Sequence, residues 1–170
     1  MANRRFQNLD RKTQANLINC FPDLAAIASN ESTGNYQQVA ITVYDHWLSE
    51  EEAYKELNDV PIEKQKINDA KLHSFVCSLT SSFESYLVKR VGRYKQHITF
   101  RAFTSTSAKN MTLSPLPYLA SCAHRFMFVI PSLKVIYVEG LDFTHHVYLK
   151  NQASIGALKA EAEKAGVYVL

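Results

Sequence analysis

Apolar and polar positions are patterned most clearly in the last third of the chain, Phe126 to Leu170. Phe126 to Ile130 and Val135 to Val138 are short runs rich in Val, Ile, Tyr and Phe, split by Pro131, Ser132, Leu133 and Lys134. That arrangement predicts a hairpin. Gly140, Leu141 and Asp142 turn the chain into a third run, Phe143 to Leu149. Asn151 then opens a helix whose apolar positions are Ile155, Leu158, Ala162 and Ala165. Gly166 stands where a helix ends in a left-handed residue, and Val167 to Leu170 forms a terminal strand. The reading is strand, strand, strand, helix, strand.

Upstream, helical spacing dominates. Asp10 suits an N-cap, and Leu9, Leu17, Ile18 and Phe21 share a helical face. Pro22 stops that helix and suits the first turn of the next, with Leu24, Ala25, Ile27 and Ala28 as its apolar side. Tyr36 to Leu48 satisfies two periods. Val39, Ile41 and Val43 alternate as a strand, whereas Val39, Val43 and Trp47 repeat every fourth residue. The pattern runs for about three turns, longer than a typical edge strand, and predicts helix. Ser49 and Glu52 form a capping box for the next helix, through Leu57, with Pro61 after it. From residue 62 to 91, Leu72, Phe75, Val76, Leu79, Phe83, Tyr86, Leu87 and Val91 fit one long buried stripe. Its other face is nearly uncharged: Ser74, Ser78, Ser81, Ser82 and Ser85, with Lys89. Gly92 is placed to end it. His97 to Phe103 alternates as a strand, and Thr104 to Pro117 reads as a polar connection.

These elements predict one α+β domain over residues 1–170. It has a helical N-terminal half (1–92), then an antiparallel β-meander with a packed C-terminal helix and a terminal strand (93–170). A chain of 170 residues, 46% hydrophobic, can bury such a core without covalent staples. No apolar run approaches the ~20 residues of a membrane helix, so no membrane association is expected. The start lacks the apolar stretch of a secretory signal. Cys20, Cys77 and Cys122 lie far apart, which argues against a disulfide framework and for a reducing, cytoplasmic setting.

Chemistry-bearing residues are few. The net charge of +3 is mild. Its densest contribution is Lys89, Arg90, Arg93, Tyr94, Lys95, His97 and Arg101, a stretch without an acid. Basic residues interleaved with tyrosine suit a phosphate backbone and a stacked base. At a helix end, Lys89 and Arg90 would instead complement the helix dipole. Cys122, His124 and one of His145 and His146 make three possible metal ligands, because adjacent histidines on a strand point to opposite faces. Their spacing is looser than that of structural zinc sites, and no tightly bound metal or other cofactor is expected. Asp45 beside His46, with Glu50, Glu51 and Glu52 following, resembles an oriented base, but acids in a helix's first turn are expected on dipole grounds alone. Hydroxyls and Lys109 in Thr104 to Asn110 lack the glycines of a phosphate cradle.

No nucleophile, acid–base pair or metal set has convincing spacing. The expectation is therefore a small cytoplasmic, non-catalytic binding or accessory protein, with another protein as partner at an exposed sheet edge. A bacterial toxin-neutralising or accessory protein would have this size and lack of motifs. The alternatives are weak nucleic-acid binding through residues 89–101 and a metal-dependent hydrolase at Cys122, His124 and His145 or His146.

Overall fold

A computed structural model of the chain describes residues 5–29, 33–91, 97–115 and 126–170. The elements in order are β1 (Phe6–Asn8), α1 (Arg11–Cys20), α2 (Leu24–Ala28), β2 (Gln37–Thr42), α3 (Glu50–Leu57), α4 (Ile62–Ser82), β3 (Tyr86–Val91), β4 (His97–Phe103), α5 (Thr106–Thr112), β5 (Met127–Ile130), β6 (Val135–Val138), β7 (Thr144–Leu149), α6 (Ser154–Ala165) and β8 (Tyr168–Val169). The eight strands form one antiparallel sheet in the order β1-β4-β3-β5-β6-β7-β2-β8. The fold is α+β, with helices concentrated before β3 and α6 followed by a terminal strand. Among the described residues no helix is long and apolar enough to cross a membrane.

The sheet is covered on both faces, and alternation along each strand divides its side chains between two cores. Phe128, Ile130, Val135, Tyr137, Val147 and Leu149 face α4 and α6, meeting Leu72, Phe75, Val76, Leu79 and Leu158. Val129, Ile136, Tyr148, Val88 and Phe100 face the other way, onto Leu17, Phe21, Leu24 and Ile27 of α1 and α2. Within the larger core Phe128 and Tyr137 stack at 4.7 Å between ring centres. α4 and α6 also meet through polar groups. Glu161 is only 6% exposed, and its carboxylate accepts from Ser78 Oγ, from Ser82 Oγ at 3.1 Å and from Lys164 Nζ at 2.8 Å. The serine face of α4 is thus in part a packed surface, and the lysine and serine donors hold the Glu161 carboxyl below its usual range.

Three local signals mark helix ends correctly, whereas α6 begins at Ser154 with Ala153, not Asn151, as its N-cap. Asp10 Oδ1 accepts from Thr13 N–H at 2.9 Å, Ser49 and Glu52 complete the capping box, and Gly166 ends α6 at φ 68°. Three expectations are corrected. Residues 37–42 are a strand, β2, where helix was expected. It lies inside the sheet between β7 and β8 and is buried from Val39 to Thr42, so its apolar run carries no clean period. The long helix stops at Ser82, and Tyr86–Val91 is strand β3, not its continuation. Thr80 and Ser81 turn their hydroxyls onto carbonyls four residues back, a competition that loosens helix ends. Leu87 then pairs with Phe128 on one side and Arg101 on the other. The N-terminal half therefore contributes three strands as well as four helices. Finally, residues 106–112 form a short helix, α5, capped by Ser105, where a connection was expected.

The outer side of β4 is closed by a side chain. β1 pairs only with Arg101–Phe103. One residue earlier, Gln14 of α1 donates Nε2–H to the Phe100 carbonyl at 2.7 Å and accepts the Phe100 N–H at 2.9 Å on Oε1. The amide reproduces the two bonds a neighbouring strand would make.

The β6–β7 connection ends in a tight turn. Thr144 N–H donates to Leu141 O at 2.9 Å, and Asp142 and Phe143 both have positive φ, as type I′ requires. A bulky residue rarely tolerates that conformation; here Phe143 is 5% exposed, and burying its ring contributes about 1.5–3 kcal/mol in compensation. Just before the turn, a Cβ on Gly140 would lie 2.0 Å from the Thr144 carbonyl oxygen. Gly140→Ala is therefore expected to cost at least ~1–3 kcal/mol through forced displacement of backbone. Gly156 in α6 has open space around its Cβ position, so Gly156→Ala should stabilise by ~0.5–1 kcal/mol. Urea unfolding of both variants checks the pair.

Candidate functional site

The β3–β4 hairpin distributes the basic stretch over two faces. Lys89 and Arg101 lie on the face that carries Leu87, the face of α4. Arg90 lies on the opposite face, and its Nη1 donates to Ala28 O at the end of α2 at 3.1 Å. Lys89 and Arg90 are strand residues, so the helix-dipole explanation for them is withdrawn. Arg93, Tyr94 and Lys95 lie outside the described residues, as do Cys122 and His124.

Around Lys89 and Arg101 the sheet collects groups from distant parts of the chain. Phe6 of β1 and Phe103 of β4 are partners in register, with ring centres 6.0 Å apart. Lys89 Nζ lies 5.6 Å from the centre of the Phe6 ring. Lys109 Nζ, from α5, lies 5.9 Å from the Phe103 ring and donates to Thr80 O at 2.6 Å. Each ring face attracts an ammonium group through its quadrupole. Two cations are thereby held along a pair of touching rings, and Asn8 and Arg101 occupy the next register position on the same face, two residues along. Burial pulls the Lys109 amine below its usual value. Arg101 is half-buried, and its Nε–H is buried without a hydrogen-bond acceptor among the described residues. A buried donor left unpaired costs ~1–3 kcal/mol, more for a charged group. β1, β3 and β4 contain no carboxylate, and the ion pairs of the described residues lie elsewhere, at 45–66 and 161–164.

His145 and His146 are not brought together. His145 is buried, its Nδ1 2.7 Å from Tyr137 Oη, with its ring edge-on to Phe126 and Tyr137. His146 points to the opposite face, where Nδ1 lies 3.2 Å from Gln38 Nε2, and burial lowers its pKa. Among the described residues no three His, Cys, Asp or Glu side chains are grouped to hold a metal. Asp45 and His46 do interact, but both imidazole nitrogens are engaged, Nδ1 by Asp45 at 2.6 Å and Nε2 by Glu52 at 3.2 Å. With both nitrogens facing carboxylates, this imidazole ties a loop to the start of α3.

Sequence reasoning found Lys89 and Arg101 because they are charged and close in the chain. It missed Phe6, Phe103 and the contribution of Lys109, which are assembled by strand pairing and by a helix with little apolar pattern. No family model, curated protein or solved structure matches the chain.

The His46 contact predicts a pH dependence. Hydrogen bonds to Asp45 and Glu52 raise the imidazole pKa, and bonds from Ser49 and His46 bring Glu52 down to about 2. The tie contributes fully below the ordinary histidine value of ~6.5 and is lost as pH rises through the raised folded value. An NMR titration should place the His46 ring protons above ~6.5. Glu52→Gln should move them back toward it.

Proposed function

We propose that the protein is a cytoplasmic binding protein that holds an anionic strand, a nucleic acid, against the β1-β4-β3 end of its sheet. The observation that carries this reading is the grouping of Lys89, Lys109 and Arg101 around the Phe6–Phe103 ring pair, on strands β1, β3 and β4 that contain no carboxylate. Phosphate oxygens are the acceptors that ammonium and guanidinium groups suit best. Lys89 and Lys109 are each held over an aromatic ring, so little side-chain freedom is lost when phosphates arrive. Acidic residues concentrate instead around α3, at Asp45, Glu50, Glu51, Glu52, Glu56 and Asp59. α3 follows β2, which lies near the other edge of the sheet. The unpaired thiols Cys20 and Cys77 agree with a reducing compartment.

A protein partner is the second reading. Trp47 is 67% exposed and Tyr54 is 72% exposed, and these residue types carry much of the energy of protein interfaces. The sheet edges favour it less, because β1 has three residues, β8 has two and Gln14 closes part of β4.

Fluorescence anisotropy with a labelled single-stranded oligonucleotide separates the readings. Three phosphate contacts predict a log–log salt slope of about −2, given ~0.7 per contact. Lys89→Gln and Arg101→Gln should each weaken binding and reduce the slope by ~0.7. No binding in dilute salt, or binding unchanged in the double variant, refutes the proposal. Loss of partner capture on Trp47→Ala with unchanged oligonucleotide binding would support the second reading.

A further inference from the structure

The long helix carries a second cluster, beside Lys109. His73 and Cys77 are four residues apart on α4 and so share one side of it. Cys77 Sγ lies 3.3 Å from His73 Nε2. The thiol also donates to Asn110 Oδ1 of α5 at 3.5 Å, and the Asn110 carbonyl lies 3.2 Å from His73 Nε2. Both side chains on α4 are half-buried, so the cluster is shielded and still reachable from solvent. Asp69, half-buried and four residues before His73, lies on the same side of the helix.

The two separations from the sulfur match edges of a coordination polyhedron. A tetrahedral zinc-class ion takes sulfur at ~2.3 Å and nitrogen or oxygen at ~2.0–2.2 Å, which places two such donors ~3.5–3.6 Å apart. The sulfur–nitrogen and sulfur–oxygen separations are 3.3 and 3.5 Å. A shift of a few tenths of an ångström would seat the ion, with water completing its shell. Thiolate with imidazole is a donor pair that selects borderline and soft ions over magnesium or calcium.

We propose that Cys77, His73 and Asn110 form a site for a thiophilic divalent cation of the zinc and cadmium class, bound through Sγ and Nε2 with the amide Oδ1 as third donor. On binding, the S–H proton leaves to solvent and the sulfur lone pair goes to the metal. His73 presents its unprotonated Nε2, carries its proton on Nδ1 and gives up the Asn110 carbonyl. Lys109 favours the thiolate, while burial works against it and holds the thiol above its ordinary pKa. Binding therefore competes with a proton, and affinity rises with pH. Two strong donors and an amide make the site reversible.

Titration of the reduced full-length protein with cadmium alone tests the site, read by the ultraviolet thiolate-to-cadmium charge-transfer band. One ion per chain is expected. The band should vanish in Cys77→Ser, with Cys77→Ala as a second variant should the first fail to fold by circular dichroism. His73→Gln should weaken binding at least ~tenfold, since loss even of an outer-shell partner costs 10–100-fold. Half-saturation should move to lower cadmium as pH is raised. A wild-type protein without the band, a band that survives loss of Cys77, or unchanged affinity in His73→Gln overturns the proposal.

Discussion

Burial of both faces of the β5–β6 hairpin is the constraint on which the rest of the molecule depends. Phe128, Val129, Ile130, Val135, Ile136 and Tyr137 are all fully buried, yet neighbours in the chain point to opposite sides. A sheet with one wet face would leave half of them in water. The fold must supply an apolar layer on each side, and it does so with α4 and α6 on one face and α1 and α2 on the other. A one-residue slip of either strand would exchange the two sets, placing Phe128 and Tyr137 where the smaller core has Val129 and Ile136. The turn at Pro131–Leu133 and the close approach at Gly140 hold the register from the two ends of β6.

What the sequence made legible follows how far each structure-forming interaction reaches. Asp10, the Ser49–Glu52 box and Gly166 act within four residues, and each was readable where it stands. The hairpin from Phe126 to Val138 was readable because its partners are adjacent. β2 and β3 were not. Val39 to Thr42 is enclosed by strands from residues 144–149 and 168–169, so its strand alternation did not stand out against the helical period that was preferred. Phe83, Tyr86 and Leu87 continue the spacing of α4 by coincidence. Pairing with β4 and β5 gives Tyr86–Val91 backbone bonds that the stripe alone could not reveal. α5 has one buried residue, Ala108, so it had almost no apolar period to read.

The same rule governs the sites. Lys89 and Arg101 were visible as charge without acids, but the sign of their environment was not. That came from Phe6, nearly a hundred positions away, and from Lys109 folding back on the end of α4. Arg90, adjacent to Lys89, serves α2 on the other side of the sheet. A run of like charge in a strand is thus two populations, and counting it as one patch overstates it. The His73–Cys77 pair had the opposite fault: its spacing was in plain view, but Asn110 gives it a third donor only through a helix that the pattern did not announce.

Gln14 has a consequence for how molecules of this chain meet one another. An open strand edge recruits further strands, and crowded proteins are exposed to that hazard whenever a terminal strand is short. Charge or proline are the common deterrents. Here the deterrent is mimicry: a carboxamide occupies the peptide position beside Phe100, so an incoming chain finds that length of β4 already paired. Because the amide belongs to a helix packed on the core, it cannot be peeled away like a frayed strand. Resistance to sheet growth at this edge is tied to the docking of α1, and conditions that loosen the smaller core would expose the edge at the same moment.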